Sequence, residues 1–185
     1  MVGLFFMPRN GQKGAIMPIE EVQRGFAADG NGIVYWVETI ADPTAPTAAE
    51  IAAGTRLTYG MTPDGFNHTV EVATVTSGRY TLAQALSYDG IVTDSVEVTY
   101  VYNRETPTAI ETLIGRQGEE GFIVHALGYP NDHVLSSGDI VNAVIPVTTS
   151  IPRDNPPAQN TEATKTVRMN VVGVVGREVA IADNS

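Results

Sequence analysis

Three histidines, His68, His125 and His133, are the side chains of this sequence that ionise near neutral pH without help. His68 opens an alternating stretch, His125 lies within another, and His133 ends the turn-rich run Tyr129-Pro-Asn-Asp-His133. No two are spaced to hold one metal on a single local element, and no HExxH motif is present. Asp132 and His133 stand close to Ser136 and Ser137, the residue types of a nucleophile cluster. No GxSxG elbow presents the serine, and triad members are rarely sequence neighbours, so this stretch reads as a polar loop. Asp29-Gly-Asn31-Gly matches the opening of a calcium loop, but its twelfth position is Ile40 where a bidentate glutamate belongs. Glu20-Glu21 and Glu119-Glu120 are adjacent pairs, whose side chains diverge in an extended chain and do not make an acid and base facing one substrate. No phosphate-binding glycine loop occurs, and the absence of cysteine removes thiol nucleophiles, cysteine metal sites and disulfides. The expectation is a protein that is not an enzyme and holds neither cofactor nor metal.

The elements that would position such groups are strands. The chain has 22 Val, 13 Ile and 20 Thr against 7 Leu, and branched residues favour a pleated surface over a helix. Strands are expected at 33–40, 56–59, 68–76, 80–87, 94–103, 121–127 and 139–151. A long terminal strand region, 165–181, is interrupted by Gly173 and Gly176. Pro63-Asp64-Gly65, Ser77-Gly78 and Tyr88-Asp89-Gly90 read as turns, and the proline-rich 152–163 as a loop. Thr47-Ala-Ala-Glu50 is a capping box for a short helix ending at Gly54. Thr106-Pro107 starts a second helix that places Ile110, Leu113 and Ile114 on one packing face and closes at Gly115. The fold class is therefore mainly β, a sandwich or barrel with one or two short helices. Residues 1–31 lack a clear period and read as an extended N-terminal arm, with the domain at 32–185. The apolar arm residues Leu4, Phe5, Phe6, Ile16 and Ile19, and Val171 and Val174 near the C-terminus, are candidates for contacts between subunits.

At 185 residues one domain with an arm is the default. No apolar run reaches the roughly 18 residues needed to span a bilayer, and the N-terminus lacks the basic start of a secretory signal. Eleven basic against 21 acidic residues give a net charge of −10. That balance denies the chain the basic footprint of a general nucleic-acid binder.

Several stretches together resemble the tail-tube (major tail) proteins of long-tailed bacteriophages, particularly those of actinobacteriophages. They are Val34-Tyr35-Trp36 with Ala45-Pro-Thr-Ala-Ala-Glu-Ile-Ala-Ala-Gly-Thr55; Val98-Thr-Tyr-Val-Tyr102 with the helix 107–115; and Gly121-Phe-Ile-Val124, Ser137-Gly-Asp-Ile-Val141 and Ile145-Pro-Val147. The loop 152–160 and a closing valine-rich strand complete the pattern. The resemblance covers about residues 32–182 and not the arm. It implies a β-sandwich flanked by a helix, a homo-oligomer of stacked hexameric rings, contacts with other tail proteins, and a lumen through which DNA passes without lasting binding. It also implies a virion protein assembled in the host cytoplasm, in a non-contractile tail and with no membrane partner. Six copies of a −10 chain bring about −60 formal charges to a ring, which repels phosphate wherever it faces inward. Polar positions on amphipathic strands, Glu71, Glu97 and Asn142, are the candidate lumen residues. Two other readings share the composition: another virion β-sandwich (a capsid decoration or tail-completion protein), and a small ligand-binding barrel or enzyme built on His125 or His133.

Overall fold

The computed structural model describes residues 25–183 except Leu82. The arm candidates Leu4, Phe5, Phe6, Ile16 and Ile19 lie outside the described residues. Nine antiparallel strands form one sheet: β1 (Gly32–Val37), β2 (Thr55–Arg56), β3 (Met61–Ser77), β4 (Leu86–Val101), β5 (Glu120–Leu127), β6 (Ile140–Thr149), β7 (Arg153–Asp154), β8 (Thr164–Val171) and β9 (Gly176–Ala180). Their order is β2-β1-β5-β6-β8-β4-β3, with β7 on β8 and β9 on β6. Two helices, α1 (Ala48–Ala53) and α2 (Ala109–Ile114), complete the fold.

In that order β1 and β4 stand four places apart, about 19 Å across a flat sheet. Yet Val34 and Trp36 of β1 share one buried cluster with Val96, Val98 and Tyr100 of β4. The sheet therefore folds over on itself and encloses that cluster, which Ile123, Ile145, Val167 and Met169 extend. Alternation supplies both faces of β1: Ile33 and Val37 point the opposite way, into a second cluster with Val124, Val144 and Ile51 of α1. The half made of β1, β5 and β6 is thus covered on both sides, whereas the outer face of β8-β4-β3 carries no layer of helices.

Local chemistry fixes the helices. Thr47 accepts the Glu50 N–H, and the Glu50 carboxylate accepts the Thr47 N–H at 2.8 Å and the Ala41 N–H at 2.8 Å. Ile110 and Ile114 of α2 are buried in the first cluster and Leu113 packs against it. Lys165 Nζ holds the same helix through Glu111 Oε1 at 2.9 Å. Its cap is Thr108, two residues later than Thr106-Pro107 suggests, because Asn103 Oδ1 accepts the N–H groups of Glu105 and Thr106 and keeps that segment a turn.

The larger departure from the expected elements is between residues 61 and 101. Pro63-Asp64-Gly65 is not a turn but lies inside the 17-residue β3, and Tyr88-Asp89-Gly90 lies inside the 16-residue β4. Of the expected strand 80–87, Leu86 and Ser87 open β4, whereas Tyr80, Thr81 and the residues 83–85 lie in the connection between the two. A shift of register between Met61 and Phe66 absorbs the proline. Gly65 is required for closeness, since a Cβ there would stand 2.4 Å from the Thr99 carbonyl oxygen. Elsewhere β1 ends at Val37, the expected strand 56–59 is β2 followed by a 3-10 turn, and Arg153–Asp154 of the expected loop pairs with β8.

Trp36, 3% exposed, lies across Gly121 of the neighbouring strand, where a Cβ would come within 2.5 Å of its ring. Gly121→Ala should cost about 1–3 kcal/mol by displacing that indole. Urea denaturation of the variant against the parent measures this, and an unchanged midpoint would contradict the packing.

Candidate functional site

The open face of β3, β4 and β8 is built by alternation. Opposite each buried residue of β4 the next residue points outward, and register aligns them into rows. One row reads Asn67, Glu97, Arg168; the next Thr69, Ser95, Asn170; beyond them Glu71 faces Thr93. All of these except Asn170 line a shallow groove of about 350 Å³. Glu71 and Glu97 therefore share this face. Asn142 does not: it lies where β6 pairs with β5 and β9, and its Oδ1 accepts the Leu127 N–H at 2.6 Å.

The electrostatics of the face differ from those of the whole chain. Arg153 of β7 reaches Glu97 Oε2 at 3.6 Å, and Arg168 stands directly across from Glu97. The face thus carries two carboxylates and two guanidiniums, of which Glu97 and Arg153 pair, and hydroxyl and amide groups fill the remaining positions. The acidity expected of a lumen surface is not concentrated here. Arg168 was legible in the alternation of Thr166-Val-Arg-Met-Asn170, but Arg153 sits in a stretch whose prolines read as loop and gave no signal.

A second cluster ties the root of the β3–β4 hairpin to the body. Asp94, with a side chain 9% exposed, accepts His68 Nε2 at 2.8 Å and Arg177 at 2.7 and 2.8 Å. Burial pushes its carboxyl up, and the hydrogen bonds and charges of Arg177 and His68 outweigh that and hold it below the usual range. Nearby, His125 packs on Phe66 with ring centroids 4.3 Å apart, beside a cleft of about 800 Å³. Burial, with a smaller contribution from His68, pushes His125 down to about 4.

His133 makes a different arrangement from the one a nucleophile needs. His133 Nε2 lies 2.9 Å from Asp139 Oδ2, which also accepts the Ser136 N–H and hydroxyl. The carboxylate stands between serine and imidazole, where hydroxyl activation requires the imidazole in the middle. Arg56 pins the same loop through the carbonyls of Asn131 and His133. Among the described residues no group of three or more His, Asp or Glu side chains is placed to hold a metal. No described helix is long and apolar enough to cross a membrane. Val171 packs partly against the first cluster, and Val174 is 74% exposed in the β8–β9 connection.

Folding excludes a proton from His125 that the unfolded chain binds below about pH 6.5. Between 6.5 and 4 the unfolded state holds more protons, so stability rises with pH across that window and falls on acidification. The contribution of Asp94 runs lower, present above its unfolded value and lost as pH falls through its folded one. His125→Asn should remove on the order of 2 kcal/mol of acid sensitivity between pH 6.5 and 4. Urea melts across that range test it, and an unaltered slope would refute the assignment.

A family model described as "Phage tail tube protein" matches residues 20–184. No curated protein sequence matches the chain. Among solved structures, a chain of the "Cryo-EM structure of the anti-feeding prophage (AFP) baseplate, 6-fold symmetrised" superposes with a TM-score of 0.48 at 10% identity, covering 83% of this chain and 97% of that one.

Proposed function

The chain belongs to the phage tail tube protein family, a structural component of the virion tail, and on that premise we propose that it assembles as hexameric rings stacked into a tube whose lumen conducts DNA. The observation that carries this reading is the β3–β4 hairpin. Beyond the core its strands keep apolar side chains that the described residues leave open: Val70, Val72 and Val92 are 43–49% exposed, and Leu86 and Tyr88 each 58%. A two-stranded ribbon is marginal in water. Among the described residues this one also leaves the 17-residue β3 at the edge of the sheet with one side unpaired.

A register shift between Val72 and Thr74 gives the ribbon a second property. Before it, Val70, opposite Asp94, and the apolar pair Val72–Val92 point to the core side. After it, Val75–Tyr88 and Ser77–Leu86 point to the other side, and the core side carries Thr74–Asp89 and Thr76–Ser87. The apolar stripe changes face along the hairpin. Such a ribbon suits two neighbours on opposite sides, as a subunit meets in a stacked ring. Head-to-tail contacts that close in rotation and repeat in translation make a tube. The exposed Val174 and the apolar arm residues are further candidates for contacts between rings. The outer face with Glu71 and Glu97 is the candidate lumen wall.

Val72→Asp and Leu86→Asp should each abolish rings and tubes in negative-stain images while leaving far-UV circular dichroism and the melting temperature of the monomer unchanged, because both side chains are exposed within one chain. Normal tubes from either variant would overturn the role given to the hairpin.

A further inference from the structure

The polar face carries two exposed arginines on a chain with only 11 basic residues. A wall that lets DNA pass has no use for unopposed guanidiniums, which bind phosphate in bidentate fashion. Glu97 on β4 neighbours both, with Arg168 next to it on β8 and Arg153 reaching over β8 from β7. It faces Arg168 across the β4–β8 ladder and Arg153 at 3.6 Å. Its side chain is 34% exposed and that of Arg153 65%, so the ion pair is solvated and adds little to stability. Its consequence is electrostatic. The carboxylate brings to the two arginine positions the negative charge that a backbone phosphate would otherwise bring.

We infer that Glu97 is an internal phosphate mimic that keeps Arg153 and Arg168 from binding DNA. The inference deepens the reading of this face as the lumen wall and rests on it for its biological meaning. The mask itself is a property of the single chain. The hydroxyl and amide groups of Thr69, Ser95 and Asn170 alongside carry no charge, and Glu71 is the remaining acid of the groove. On this account the face avoids DNA by local neutrality, and the net charge of −10 acts mainly elsewhere on the surface.

The test uses the full chain and a 30-base-pair duplex in fluorescence anisotropy at low salt. Glu97→Gln should bind the duplex at least about tenfold more tightly than the parent, with affinity falling on added salt at a log–log slope near −2, one unit for each freed arginine. Adding Arg153→Gln and Arg168→Gln to that variant should return binding to the parental level. Glu97→Thr, which places on β4 a residue the same face already carries at 93 and 99, is the second variant if Gln disturbs the fold. A folded Glu97 variant that binds no better than the parent overturns the mask. So does binding that survives loss of both arginines. If the variant binds duplex as a free chain while tubes carrying it eject DNA at the parental rate, the mask stands and the lumen assignment of this face falls.

Discussion

One constraint organises this molecule: strands four places apart in a single sheet must share one core. Val34 and Trp36 can touch the cluster of Val96, Val98 and Tyr100 only if the sheet folds over. That closure uses up one face of β4 and β8 and both faces of β1 and β5. Among the described residues it leaves three things without a partner: the outer face of β8-β4-β3, the free edge of β3, and the distal hairpin. A folded sheet satisfies hydrogen bonds everywhere except at its ends, and while one end here is the two-residue β2, the other is the longest described strand. The features with no use in a solitary domain are therefore consequences of the same closure that stabilises it.

The connection between core and projecting hairpin is polar. Asp94 joins β3 through His68 and β9 through Arg177 at the point where apolar packing stops. Further out, buried side chains no longer hold the ribbon to the body, and the salt-bridged carboxylate sets the last anchored row. Asp94 is well placed for this because its hydrogen bonds offset its burial.

Much of this was legible in the sequence, and the failures have physical causes. The alternation of Val96, Val98 and Tyr100 with Glu97 and Thr99 marks a half-buried strand, and the structure holds those residues in that way. The Thr47–Glu50 box marks α1 because a capping box is wholly local. The glycines at 65 and 90 were misleading. Glycine serves both turns and places where backbones come close, and composition does not separate the two uses. Two long strands thus read as several short ones. Of the polar face, Glu71 and Glu97 were visible through periodicity. Arg153 was not, because its strand is two residues long and gains its register only from β8. Asn142 satisfies the same periodicity on a different half of the sheet, which one strand considered alone does not reveal.

Net charge carries a similar lesson. Twenty-one acidic residues against 11 basic ones describe the chain, not any one surface. Several carboxylates are committed internally: Glu50 to helix capping, Glu111 to Lys165, Asp94 to Arg177 and Asp139 to His133. The face proposed to meet DNA holds as many guanidiniums as carboxylates. Coulomb interactions between solvated charges fade beyond about 10 Å at ordinary ionic strength. A phosphate sliding along this wall responds to the groups in the groove, and only weakly to acids on the far side of the subunit. A global charge of −10 makes the particle acidic at a distance. On the masking inference, passage at contact turns on the one carboxylate, Glu97, that neighbours both arginines.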